Sequence, residues 1–422
     1  MVEVHRVKQT MDEIGKIGST DRGMKRLAFS REEKQATDYF TAQCEAAGLS
    51  VRMDAAGNVI ARRQGTCPEL PAIGIGSHLD TVYEGGKYDG TIGVLAALEI
   101  VRDLNDRHIQ TKHPIDIFAF ACEESARFGF SQIGSKALAG LIKQKDIASL
   151  TDKEGRTIQS VFAERGLDFS RLEEARLPEH ALAAFMEMHI EQGPILDGKN
   201  LPIGVVNGIA APTRFTICVK GHAAHSGSTP MNQRQDALIG AAEITIELEK
   251  EARREMEHGT VATVGDIEIA PGAMNVVPGE THLKVDIRSI SRASKDRVVQ
   301  FLDTFLDHLR AARHLHIDCT LLSDEPPVRM DAGVIQTFEN ACREKKIGFI
   351  RIPSGAGHDT MNMAALCPVG MIFVPSTGGI SHHPDEHTDL PQIITGIEVL
   401  EAAVLDRAVV DISKKAGTGN AQ

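Results

Sequence analysis

Two kinds of hydrophobic pattern divide the chain. Toward the N-terminus the apolar positions come in short runs. Ala72–Gly76 and Ile115–Cys122 are such runs, bounded by Pro or Gly, and suit buried strands. Between them Val94, Leu98 and Val101 recur at helical spacing. Earlier, Ala36, Phe40, Cys44 and Ala47 do the same behind Ser30-Arg31-Glu32-Glu33, a capping-box pattern, so residues 31–47 are predicted to form an amphipathic helix. Strand, helix, strand is the α/β signature. The middle of the chain alternates instead. Phe215, Ile217 and Val219 interleave with Arg214, Thr216, Cys218 and Lys220, and Leu283, Val285 and Ile287 interleave with His282, Lys284, Asp286 and Arg288. Period two marks strands with one polar face. Ala237, Ala241, Ile244 and Leu248 predict a long helix; a second helix near 292–313 and a strand near 316–322 follow. The pattern predicts an α/β domain interrupted by an inserted α+β domain of about 115 residues, an ordinary domain size. Pro202–Pro212 and Glu325-Pro326-Pro327 read as its hinges. The expected divisions are 1–211 and 328–422 for the first domain and 212–327 for the insert.

Composition narrows the function. A chain of 422 residues is long for one core, in keeping with two domains. Hydrophobic content of 42% and charged content of 25% are those of a soluble globular protein. A net charge of −12 argues against nucleic-acid or anionic-membrane partners. The N-terminus lacks a signal-peptide core, and no run reaches the ~18 apolar residues of a membrane span. Seven scattered cysteines without a CxxC pair read as reduced thiols, mostly small core residues, of a cytoplasmic protein. There is no internal repeat. The polar tail KKAGTGNAQ is expected to fray.

Candidate chemistry gathers where strands are predicted to end, the usual ligand position in open α/β sheets. GSHLDTVYEGGKYDGTIGV puts His78, Asp80 and Asp89 behind the first run; Glu123-Glu124 follow the second; MEMHIEQGP carries His189; GGISHHPDEHT carries His382, His383 and His387. Imidazole and carboxylate suit Zn²⁺, Mn²⁺ or Co²⁺, and Asp89 before Gly90 is spaced to bridge two cations. Asp80 is close enough in sequence to accept the other ring N–H of His78. Taken singly, a His-x-Asp pair is more often a helix cap or a solvated loop.

The motifs GSHLDTVYEGGKYDGTIGVLAALE, EESARFGFSQIGSKALAG, HIEQGPIL, GHAAHSGSTPM, GAMNVVPGE, VDIRS, PSGAGHD and GISHHPDEHT, in this order between residues 75 and 388, resemble the M20 family of metallopeptidases, and within it the N-carbamoyl-L-amino-acid hydrolase and allantoate amidohydrolase branch. The resemblance implies a di-metal catalytic domain with a central mixed sheet flanked by helices, plus an inserted dimerisation or lid domain of one sheet and two helices. It implies two divalent ions per subunit, Zn²⁺ or Mn²⁺/Co²⁺: His78, Asp89 and His189 around one, and Asp89, Glu124 and His382 around the other, with His383 as the alternative to His382. It makes Glu123 the catalytic base. It makes His225, from the insert or from a partner subunit's insert, the donor to the reacting carbonyl, with His222 as competitor. On pattern alone Arg288 is as well explained by a solvated sheet face; the resemblance assigns it to a substrate carboxylate, with Gln192, Asn275, Gly355 and Gly357 as helpers. Arg127 and Ser131 are read as structural. The implied activity is hydrolysis of the carbamoyl C–N bond of N-carbamoyl-L-amino acids by a homodimer whose domains close on a small-molecule substrate. The alternatives are allantoate or another ureido acid such as ureidopropionate, and, more remotely, a non-catalytic metal-binding scaffold.

Overall fold

The computed structural model describes residues 2–408, so the polar C-terminal tail lies outside the described residues. The chain divides into two compact units. The first takes the residues up to Asn207, Met330–Ile352 and those from His358 on; the second takes Gly208–Arg329 and Pro353–Gly357.

The first unit is built on a mixed sheet. From Ile203–Ile209 the strand order runs through Val369–Val374, Leu182–Ile190, Ala72–His78, Ile115–Phe120 and Val59–Arg63 to Ser50–Met53. The four central strands, Val369–Val374 to Ile115–Phe120, are parallel, and their neighbours on either side are antiparallel. Ala72–His78 and Ile115–Phe120 are buried at every position. That is why their sequence shows apolar runs rather than alternation: a parallel strand covered on both faces has no polar side. The helix Thr91–Asp106, buried along nearly all its length, packs on Ala72–His78 and Leu182–Ile190, as does the helix Leu390–Ala408. The predicted helix over 31–47 is Arg31–Ala46. Ser30 caps it by accepting from Glu33 N at 3.1 Å, while the Glu33 carboxylate pairs with Arg165 at 2.9 Å.

The second unit is an antiparallel sheet in the order Val261–Ala270, Glu280–Ser289, Ala211–Lys220, His316–Asp324. The apolar positions of the predicted alternation, Phe215, Ile217, Val219, Leu283, Val285 and Ile287, form one core with Ile244 and Leu248 of the helix Ala237–Arg254 and Val298, Leu302 and Leu306 of the helix Arg292–Arg313. The strand Val261–Ala270 has no counterpart in the sequence prediction. It lies at the sheet edge, mostly exposed and interrupted by a bulge between Val264 and Asp266, so its alternation is weak.

Pro202–Pro212, read as a hinge, contains the strand Ile203–Ile209, with Ile203, Val205, Val206 and Ile209 buried, and the division between units falls inside it. One sequence expectation is corrected. Three of the seven unpaired cysteines are buried, fewer than the core role expected of them. No described helix is long and apolar enough to cross a membrane.

Candidate metal centre

The four parallel strands end on one edge, and each delivers a donor there. His78 closes Ala72–His78, His189 is the penultimate residue of Leu182–Ile190, Glu123 and Glu124 follow Ile115–Phe120, and His382 lies in the loop after Val369–Val374. In register, His78 pairs with Phe120 and His189 with Phe373. Asp89 enters from the loop before Thr91–Asp106.

Two three-donor sets result, His78–Asp89–His189 and Asp89–Glu124–His382, with the ligand atoms of each within 4.8 Å of one another. Asp89 Oδ1 lies 3.4 Å from His78 Nε2 and 3.2 Å from His189 Nε2. On the other side His382 Nε2 lies 3.4 Å from Asp89 Oδ2 and 3.3 Å from Glu124 Oε1. His383 turns away to Asp385.

The far nitrogens of two rings show that this set fits cations. His78 Nδ1 donates to the Asp80 carbonyl at 3.0 Å and His189 Nδ1 to the Ile190 carbonyl at 2.9 Å. A carbonyl only accepts, so each neutral ring carries its hydrogen on Nδ1 and turns the Nε2 lone pair inward. Gly90 N donates to His189 Nε2 at 3.0 Å, which agrees with that tautomer. Lone pairs then face carboxylate oxygens, an arrangement that calls for positive charge between them.

The electrostatics say the same. Burial works to raise Asp89, but His189, His382 and His78 outweigh it and hold its carboxyl well below the usual range. Bonds to Asp89 and Glu124 push His382 up to about 11. Burial pushes Glu123 up to about 7, with His78 opposing and Glu124 adding to the rise.

Glycines make the approach possible. Gly90 has φ +64°, and a Cβ there would sit 2.4 Å from the His78 ring; a Cβ on Gly86 would sit 2.2 Å from Glu386 Oε1.

The other expected residues are placed as follows. Asp80 supports His78 through its backbone carbonyl; its carboxylate, 3.8 Å from His78 Nδ1, instead accepts the backbone N–H groups of Glu123 at 3.2 Å and Glu124 at 3.0 Å. Gln192 donates from Nε2 to Asp89 Oδ2 at 2.6 Å and so holds a metal-centre carboxylate. Arg127 is buried against Asp152 and the Ala28 carbonyl, the structural role expected of it.

In the second unit, Ala224–His225 pairs with Val276–Val277, and Ser226 N donates to the Asn275 carbonyl. His225 Nδ1 accepts from Gly227 N at 3.1 Å and Ser228 N at 3.3 Å, which puts the hydrogen of the neutral ring on Nε2 as a donor. Arg288 donates to Asp286 and, through Nη1, to the Gly355 carbonyl at 2.9 Å. Because Arg214 pairs with the same Asp286, this part of the sheet keeps a surplus of positive charge.

Sequence reasoning missed several supporting residues. Glu386 Oε1 accepts from Tyr88 N and Asp89 N, and its Oε2 accepts from Ser381 Oγ, which is also within hydrogen-bond distance of Asp89 Oδ2. Glu386 lies within GISHHPDEHT, and an acid four residues past the expected ligand His382 was the available signal. Glu187, beside His189, is committed to Ser77 and Thr360.

An α/β sheet whose parallel strands deliver imidazoles and carboxylates to two overlapping donor sets is the framework of a metal-dependent hydrolase. The model for peptidase family M20/M25/M40 matches residues 74–406, and the chain belongs to that family. It is 38% identical to an N-carbamoyl-L-amino acid amidohydrolase of Geobacillus stearothermophilus, over 95% of this chain and 97% of that protein. It is 33% identical to the allantoate amidohydrolase of Escherichia coli (strain K12), over 93% and 95%. A solved amidase of the hydantoinase/carbamoylase family from Burkholderia multivorans matches with a TM-score of 0.90 at 32% identity, covering 97% of this chain and 99% of that one. The protein is a hydrolase of this family.

Proposed function

We propose that the protein hydrolyses the carbamoyl C–N bond of N-carbamoyl-L-amino acids, releasing amino acid, ammonia and carbon dioxide. The observation that carries this reading is the pair of donor sets sharing Asp89, with a buried acid beside them: Glu123 Oε2 faces His78 Nε2 at 3.7 Å. Two divalent ions, Zn²⁺ or Mn²⁺/Co²⁺, are assigned to His78, Asp89 and His189 and to Asp89, Glu124 and His382; when bound they supply Lewis-acid polarisation of the ureido carbonyl and acidify a water. Glu123 takes the proton of the attacking water and delivers it to the departing nitrogen, a task suited to a carboxyl raised toward neutrality. Asp80 steadies both acids through their backbone N–H groups. His225 is assigned to the oxygen on which charge grows, in keeping with its Nε2 donor. Arg288 is assigned to the substrate carboxylate, with Asn275, Gly355 and Gly357 as helpers, and Gln192 acts through Asp89. The second unit is assigned the dimerisation role.

Allantoate is the second reading. It also offers a carboxylate and a ureido carbonyl, and the Escherichia coli relative supports it; the higher identity to the Geobacillus enzyme favours carbamoyl amino acids.

The test is a panel assay of ammonia release. Chelator-stripped protein is reloaded with each ion and given N-carbamoyl-methionine, N-carbamoyl-phenylalanine, allantoate, ureidopropionate and a dipeptide. Fastest turnover on a carbamoyl amino acid is expected. Turnover of allantoate alone moves the assignment to the second reading, and cleavage of the dipeptide alone overturns both. Glu123→Gln should keep two ions per subunit and lose on the order of 10²–10⁴ in kcat.

A further inference from the structure

Behind Glu123 runs a buried chain of hydrogen bonds that the proposed reaction does not use. Gln132 Nε2 donates to Glu123 Oε1 at 3.1 Å, Asn362 Nδ2 donates to Gln132 Oε1 at 3.2 Å and to Ser135 Oγ at 2.9 Å, and Ser135 Oγ donates to Asp359 Oδ1 at 2.5 Å. Gln132, Ser135, Asp359 and Asn362 are all buried, Ser135 and Asp359 completely.

We infer that Gln132 and Asn362 are positioning residues for Glu123, the near links of a hydrogen-bond chain whose direction is set at its far end by Asp359. This rests on the reading of Glu123 as the base.

The direction follows from donor counting. Asp359 Oδ1 accepts from the Ser135 hydroxyl. The single hydroxyl proton of Ser135 is thereby spent, and its oxygen can only accept from Asn362. The second N–H of Asn362 then meets an oxygen, so Gln132 presents Oε1 to Asn362 and its NH₂ to Glu123. Turning the Gln132 amide over would set oxygen against a carboxylate. The consequence for the base is geometric: Oε1 is tied back by Gln132, and Oε2 is left facing the donor sets.

The backbone supports a demand for this side chain. Gln132 has φ +62° and Cys122 φ +54°, a region that L side chains occupy when their surroundings hold them there. The two segments are zipped together: Gln132 N, Ile133 N and Gly134 N donate to the carbonyls of Glu123, Cys122 and Ala121. Glycine would fit position 132 with less strain, but it would leave Glu123 Oε1 without its donor.

The test uses the ion-loaded enzyme. Gln132→Met removes the N–H and keeps the length; Asn362→Leu removes the donor behind it and keeps the shape. Gln132→Met should lower kcat about 10- to 100-fold, the usual effect of losing a supporting hydrogen bond at a metal site, while KM and two ions per subunit are unchanged. Asn362→Leu should lower kcat by less, and the double variant should be no slower than Gln132→Met, because the chain can be broken only once. A Gln132→Met kcat within twofold of the parent, a loss of ions, or losses that multiply in the double variant would overturn the inference. Should Gln132→Met fail to fold, Asn362→Asp decides: it replaces the donor by an acceptor, and an unchanged kcat rejects the chain. Glu123→Gln is run in parallel. If it keeps full turnover, the base assignment itself falls; if it is inactive while Gln132→Met is fully active, only this inference falls.

Discussion

The two units carry their chemical groups in opposite ways. In the first unit His78, Asp89, His189, Glu123 and Glu124 are buried; the two rings rest on the backbone carbonyls of Asp80 and Ile190, and the three acids are bound from other segments by Gln192, Gln132 and Asp80. In the second unit His225 and Asn275 are exposed on short paired segments, and Arg288 is held by a neighbour on its own strand and one backbone carbonyl. The difference fits what the proposed reaction asks each to hold. A cation between carboxylates gains most where water is excluded, and an unmatched charge there costs most. A donor or guanidinium for a small anion keeps its solvent until the anion arrives. Changes in the first unit should therefore act all-or-none on ion content, and changes in the second should act in grades on turnover or affinity.

The largest effect is expected at Asp89, the carboxylate common to both donor sets. Asp89→Asn keeps its shape and removes its charge. Ion content by elemental analysis should fall from two per subunit toward none, and turnover by on the order of 10⁴ or more. Retention of two ions would break the contrast between the units, because burial would then not be what makes the centre cooperative.

The sequence made this centre readable because its parts sit at places that pattern marks. Ala72–His78 and Ile115–Phe120 are apolar runs, and donors follow directly at their ends, so strand positions and donor positions came together. What could not be read was support from far along the chain. Gln132 and Asn362 are 230 residues apart, and Glu386 reaches Asp89 N across 297 residues. No periodicity links such pairs; only the topology does. Asp80 was misjudged for a related reason. Its spacing from His78 is visible in the sequence, but the nearest acceptor for the ring is its carbonyl, which any residue would supply, while the carboxylate is taken by N–H groups beyond the next strand. In Pro202–Pro212 the prolines marked the end of the insert, where the division between units does fall, but they hid the buried strand Ile203–Ile209 that crosses it.

The next effect sharpens the contrast from the other unit. His225→Ala should leave two ions bound and lower kcat on the order of 10²–10³, the usual loss for one donor to a developing oxyanion. His225→Asn keeps a side-chain donor and should recover part of it. A His225→Ala variant that loses ions would place this residue with the first unit's chemistry.

Arg288→Lys is expected to act more weakly and on affinity. A lysine ammonium cannot reproduce the fork that spans Asp286 and the Gly355 carbonyl, so the guanidinium plane offered to a carboxylate is lost while its charge remains. KM for a carbamoyl amino acid should rise about tenfold, within the range of a charge-assisted hydrogen bond, with a smaller change in kcat and none in ion content. An unchanged KM would return Arg288 to the solvated sheet face that pattern alone allows.

The smallest expected signal is a count of protons. In the ion-free protein, bonds from Asp89 and Glu124 keep His382 protonated well past neutrality, at about 11. A ligating imidazole must be neutral, so loading ions at pH 8 has to expel that proton, and acidification has to weaken loading. Calorimetric titration of stripped protein in two buffers of different ionisation enthalpy measures the release. His382→Asn should release about one proton fewer than the parent, whereas His383→Asn should match the parent, since His383 pairs with Asp385 and not with the donor sets. Equal release by parent and His382→Asn would mean that the half-exposed ring is not a ligand, and that the second donor set is closed by some other group than the histidine after Ser381.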